Sequence, residues 1–142
     1  MHSPGQTAII IGACSGIGEA LAREHKAGWR LGLLARRVDQ LEALAAQLGS
    51  GVSVGYLDVS KADCTTRFQA MTEGLSGADL VILSAGCGYL NPAHESGPDK
   101  ETVSVNVIGF MAIGTSGFPS FPDAWARSPS GHHIGRRVAR HE

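Results

Sequence analysis

The chain has 142 residues, of which 43% are hydrophobic and 18% charged, and its formal net charge is -1; this balance suits one compact domain and excludes a disordered or coiled-coil chain. Near neutrality also gives no electrostatic pull toward nucleic acid or an anionic membrane, because binding polyphosphate needs a strong basic excess. Met1 to Gly5 is polar and no apolar run approaches the roughly 20 residues of a membrane span, so neither a signal peptide nor an anchor is expected and the cytoplasm is the expected location.

Strand and helix signals alternate from Thr7 onward. Thr7 to Ile11 is a short β-branched apolar run ending at Gly12, the pattern of a buried central strand. Helical spacing follows, with Ile17, Leu21 and the alanines from Ala20 to Ala27 expected on one face and Glu19, Arg23, Glu24 and Lys26 on the other; Gly28 is the expected stop. Trp29 to Ala35 reads as a second strand, and Val38 to Leu48 as a second helix with Leu41, Leu44, Ala45 and Leu48 at helical spacing before Gly49. Val52 to Leu57 is a third strand. Ser60 is expected to cap a helix reaching about Gly74, since its hydroxyl can accept from a first-turn amide. Asp79 to Leu83 is a fourth strand. After the loop "SAGCGYLNPAHESGP", Lys100 to about Met111 reads as a helix with Val103, Val107 and Phe110 or Met111 on its apolar face.

This order argues for an α/β fold, an open doubly wound parallel sheet with helices on both faces, because parallel neighbours need helical crossovers. The alternation stops at Gly114. Beyond it, two Phe-Pro pairs, Pro129 and several glycines remove helix hydrogen bonds without any strand-like alternation in exchange. Residues 1–112 are therefore expected to form the ordered unit, and residues 113–142 a disordered tail. Cys14, Cys64 and Cys87 are widely spaced with no C-x-x-C pair, so reduced packing thiols are expected, with neither a disulfide framework nor a metal site.

The turn "GACSGIG" carries the chemistry. A side chain at Gly12 would obstruct the strand exit, one at Gly16 would hold a pyrophosphate off the backbone, and one at Gly18 would hold the helix off the sheet. The helix N-terminus offers free amides and partial positive charge to an anion. Ser15 can add a hydroxyl and Ile17 lies within the same turn. The alternative is an ordinary tight strand-to-helix turn, which would share the glycines and bind nothing.

With "LDV" at Leu57 to Val59, "LSAG" at Leu83 to Gly86 and "VNVIG" at Val105 to Gly109, the G-x-x-x-G-x-G turn resembles the short-chain dehydrogenase/reductase family across about Thr7 to Phe110. The resemblance implies a Rossmann-like sheet, incomplete here on its C-terminal side, and an NAD(P)-dependent oxidoreductase acting on carbonyl or CH-OH groups. It implies that Gly12, Ser15, Gly16, Ile17 and Gly18 hold the dinucleotide, that Asp58 and Val59 line the adenine, that Ser84, Ala85 and Gly86 run under the cofactor, and that Asn106 supports the active site. Ile11 and Cys14 stand where the family usually has threonine and serine, and Leu83 and Ser84 where two asparagines are common.

Charge selects between the nicotinamide cofactors. A carboxylate after the second strand accepts from a ribose 2′-OH and repels a 2′-phosphate. Here the strand ends "LLARR": Ala35 removes the acid, and Arg36 and Arg37 can grip phosphate through charge-assisted bonds. NADP is expected over NAD; the less favoured alternative is that both arginines are solvated residues before a helix.

The resemblance also implies a tyrosine acid, a lysine four residues later and a carbonyl-polarising serine. The tyrosines are Tyr56 and Tyr89, followed four residues on by Ser60 and Ala93, so the chain contains no Tyr-x-x-x-Lys. Back-translating Trp125 to His141 with permitted codons and shifting the frame by one base gives a stretch resembling the family's fifth strand with its serine. A frameshift between Phe110 and Trp125 is therefore expected, leaving an out-of-frame tail and a chain inactive by itself. Arg127, Arg136, Arg137 and Arg140 with His132, His133 and His141 admit a nucleic-acid or metal-binding tail, but aromatic interleaving and a spaced ligand set are missing. Two other functions compete: a non-catalytic nucleotide-binding or interaction protein that self-associates through an open sheet edge, and a methyltransferase-like domain, against which Arg36 argues because the ribose there wants an acid.

Overall fold

A computed structural model describes residues 5–87 and 96–117. Four parallel strands form one sheet in the order β3-β2-β1-β4: β1 (Gln6–Ile11), β2 (Trp29–Ala35), β3 (Val52–Tyr56) and β4 (Leu80–Leu83). Between them run α1 (Gly16–His25), α2 (Val38–Leu48) and α3 (Cys64–Gly74), and α4 (Ser96–Val103) leads through a π-helical segment, Ser104–Gly109, into α5 (Phe110–Gly117). The expected doubly wound sheet is thus observed, with β1 central and paired in register with β2 from Gln6 against Trp29 to Ile11 against Leu34.

Alternation along β1 sorts the core into two layers. Ala8 and Ile10 point to the face that also buries Ala22 of α1 and Leu41 and Leu44 of α2. Ile9 and Ile11 point to the other, with Phe68 of α3, Leu34, Leu57, Val105 and Ile113. A strand buried on both sides must be apolar at every position, which is why β1 reads as a continuous run. At the amino ends of the strands, the Thr7 amide donates to Asp79 Oδ2 and the Asp79 amide donates to the Thr7 carbonyl, both at 2.8 Å. Arg30 Nη2 donates to Thr7 Oγ1 at 3.0 Å.

Three local expectations change. Ser60 does not cap α3: its hydroxyl and amide donate to Asp58 Oδ1 at 2.7 and 2.9 Å, and the helix begins at Cys64. In α1 the buried positions are Gly18 and Ala22, and Ile17 is 73% exposed; small residues let the helix lie close on the sheet, which turns the larger Ile17 outward. The final helix also runs on to Gly117 and buries Val105, Gly109 and Ile113, while Val103, Val107, Phe110 and Met111 are exposed. The face expected to be buried is thus the exposed one, because the π turn of Ser104–Gly109 shifts the phase of the helix. Tyr89, His94, Trp125 and the arginines and histidines of the tail lie outside the described residues.

Candidate functional site

The site lies at the carboxyl ends of β1, β2 and β4, where the chain's crossovers reverse direction about β1, the point at which open α/β sheets bind ligands. The Gly12 amide donates to the Leu34 carbonyl at 2.7 Å and the Ser84 amide to the Ile11 carbonyl at 2.8 Å, so the turn after β1 is fastened to both neighbouring strands. Gly12 has φ +87°, and a Cβ there would lie 2.6 Å from the Ala85 amide nitrogen. At Gly18 a Cβ would come within 2.2 Å of the Gly12 carbonyl oxygen. Those two glycines let the turn, the helix and the exit of β4 converge. Gly16 has φ +59° and nothing within 4 Å of where its Cβ would be, so its backbone faces open space at the start of α1.

Around this turn a cleft opens. Its floor is formed by Ile11, Gly12, Cys14 and Ser15 on one side and by Ser84, Ala85 and Gly86 on the other. Ala35, Arg36 and Arg37 after β2 and Leu57, Asp58 and Val59 after β3 border the cleft side by side, the Leu57 amide donating to the Ala35 carbonyl at 3.0 Å, and Val105 completes the lining. Arg37 Nη2 donates to Ser15 Oγ at 3.2 Å and to Cys14 Sγ at 3.4 Å, spanning the two loops. Arg36 makes no hydrogen bond or ion pair among the described residues, and its charge faces Asp58. Burial of Asp58 works to raise its pKa, but the Ser60 hydroxyl and amide, with the charges of Arg36 and Lys61, outweigh it and hold the carboxyl below its ordinary value. A cleft of mixed polar and apolar lining, with two arginines and an ionised acceptor on its border, suits a ligand that carries phosphate and a hydrogen-bonding heterocycle.

The short chain dehydrogenase family matches residues 6–131. This chain belongs to that family.

Serine 3-dehydrogenase of Agrobacterium fabrum is 38% identical over 112 residues, which are 75% of this chain and 45% of that protein. An alcohol dehydrogenase of the archaeon Thermococcus sibiricus, solved in complex with 5-hydroxy-NADP, is 36% identical with a TM-score of 0.75, over 81% of this chain and 52% of its own. A 3-ketoacyl-(acyl-carrier-protein) reductase of Brucella melitensis, solved with NADH, is 25% identical with a TM-score of 0.76, over 87% of this chain and 52% of its own. The chain therefore spans about half the length of the relatives it matches.

Of the residues singled out in the sequence, Gly12, Ser15, Arg36, Arg37, Asp58, Val59, Ser84, Ala85 and Gly86 come together on the cleft. Gly16, Ile17, Gly18 and Asn106 do not line it. Gly18 acts from beneath, through the close approach to Gly12. Asn106, in the π-helical segment, accepts from the Cys87 amide at 2.9 Å through Oδ1 and donates to the Cys87 carbonyl at 2.7 Å through Nδ2. One side-chain amide thus pairs with the chain leaving β4 as a strand neighbour would. Leu57 and Val105 join the cleft without having been singled out individually; each is an apolar residue inside a motif, and nothing in its type announces a wall position. Among the described residues no cluster of His, Cys, Asp or Glu could hold a metal, and no described helix is long and apolar enough to cross a membrane.

Proposed function

We propose that this chain is the dinucleotide-binding half of an NADP(H)-dependent short-chain oxidoreductase. Support comes first from the end of β2, where Ala35 leaves no carboxylate and Arg36 and Arg37 rim the cleft. A 2′-phosphate there would meet two guanidinium groups, whereas a bare ribose would find no acid to accept its hydroxyls.

The fit extends along the cleft. Gly12, Gly16 and Gly18 with Ser15 leave backbone and hydroxyl donors for the pyrophosphate at the start of α1, with Ile17 in the same turn. Asp58 and Val59 would border the adenine, Asp58 as an acceptor held ionised by Ser60 and nearby cations. Ser84, Ala85 and Gly86 would run beneath the cofactor, and Asn106 would support the active site by fixing the chain at Cys87. When bound, the nicotinamide would give hydride to a carbonyl carbon or take it from a CH-OH carbon. Proton transfer in such a reaction needs a positioned acid, and the chain has no Tyr-x-x-x-Lys. We therefore take the binding unit to run past the expected boundary at residue 112 to the helix end at Gly117, because Ile113 is buried in the core, the residues after it as an out-of-frame tail, and the chain alone as catalytically incomplete. The interaction-protein alternative has in its support only the side of β4 that pairs with no strand among the described residues, and family membership favours the oxidoreductase.

Fluorescence titration with NADPH and NADH tests the cofactor choice. The full chain should bind NADPH more tightly, and the double variant R36A/R37A should lose about tenfold or more of that preference, since charge-assisted hydrogen bonds contribute about 1.5 to 3 kcal/mol. Equal wild-type affinities for the two cofactors would refute NADP(H) dependence.

A further inference from the structure

We infer that Gln40 is a positioning residue that presets Arg37 for the 2′-phosphate, an inference that rests on the NADP(H) reading above. Gln40 lies in the first turn of α2 and its side chain is exposed, so it contributes nothing to the core. With its amide oriented to satisfy both neighbours, Nε2 donates to the Cys14 carbonyl at 3.2 Å and Oε1 accepts from Arg37 Nη1 at 3.3 Å. Gln40 therefore reaches both the glycine turn after β1 and the arginine after β2.

The guanidinium is held from two sides. Nη1 meets Gln40, and Nη2 meets Ser15 Oγ and Cys14 Sγ. Of the five N–H groups of an arginine, this leaves Nε–H and the second hydrogen of Nη1 for a ligand. A free arginine loses much of its rotamer freedom on gripping an anion, and that loss weakens binding. Here the ordering has already occurred in the free protein. Arg36, which makes no hydrogen bond or ion pair among the described residues, has no comparable support.

Neutrality matters as much as reach. A carboxylate at position 40 would also orient Arg37, but it would cancel the charge that the phosphate has to find. An amide supplies an acceptor to the guanidinium and a donor to the turn while leaving the positive charge intact. Its spacing of three residues from Arg37 puts both side chains on the same side of the helix start.

The test is a titration of the full chain and of Q40A, R37A and Q40A/R37A with NADPH and with NADH. In Q40A the preference for NADPH should fall about three- to tenfold, the size of one hydrogen bond's contribution, with NADH affinity unchanged within about twofold. On the R37A background, Q40A should cause no further loss, because its effect passes through the arginine. A wild-type preference that survives in Q40A would overturn the role of Gln40 and leave NADP(H) dependence standing. Equal weakening of both cofactors in Q40A would also overturn it, as the mark of a general loosening of the turn. No wild-type preference, or no binding of either cofactor, would sink the NADP(H) reading and the inference with it.

Discussion

At the scale of single residues, Asp58 shows how the site sets a charge. Burial disfavours the carboxylate, yet the Ser60 hydroxyl and amide, Arg36 and Lys61 together stabilise it, so the folded pKa lies below the unfolded one. A depressed carboxylate stabilises the fold above its unfolded pKa of about 4, and that contribution is lost as pH falls through the folded value. Asp58→Asn should therefore unfold at lower urea than wild type at pH 6, with the gap closing below about pH 4. A gap that stays constant down to acid would show that the charge of Asp58 does not stabilise the fold. Residue chemistry of this kind was partly legible in the sequence. Arg36 and Arg37 announced themselves because two cations stand where a strand ends, and Asp58 through its motif. Gln40 did not, because an amide in the first turn of a helix looks like any solvated surface residue until a guanidinium and a carbonyl lie beside it. Ser60 misled for a related reason: a serine before a helix can cap it, but here its hydroxyl and amide both donate to the Asp58 carboxylate and the helix starts only at Cys64.

At the scale of elements, the helical stretch from α4 to α5 carries the largest departure from periodicity. β2 and α2 were legible to the residue, because each is bounded by glycine or charge and has one apolar pattern. The final helix has apolar groups on nearly every side, and the π-helical winding of Ser104–Gly109 moves the buried line onto Val105, Gly109 and Ile113. The packing assigns the helix end. Ile113 is 2% exposed and belongs to the core layer with Phe68 and Leu57, so I113A should cost about 2 to 5 kcal/mol in urea denaturation. V107A, at a position 49% exposed, should change stability by less than about 0.5 kcal/mol. Comparable losses at the two positions would mean that the helix presents a different face to the sheet.

At the scale of the whole molecule, the alternation of strand and helix made the sheet legible in outline, since each parallel neighbour requires a crossover and each crossover here is a recognisable helix. What the pattern did not reveal was how far the last helix continues. Binding and turnover separate at this scale. The purified 142-residue chain should bind NADPH yet give no carbonyl reduction in a steady-state assay of cofactor oxidation. NADPH-dependent reduction above the rate without protein would show that a proton donor other than the missing tyrosine and lysine serves.

The pairing of Thr7 with Asp79 lies at the opposite end of the strands from the glycine turn. Four residues of β4 at about 3.3 Å each separate the two by roughly 13 Å, with one apolar layer on either side and no shared side chain. The fastening and the cleft are therefore independent modules along one strand. A lineage can rewrite the hydrogen bonds at the amino end to suit a new temperature while keeping its cofactor, or exchange the arginines at the carboxyl end while keeping its fold.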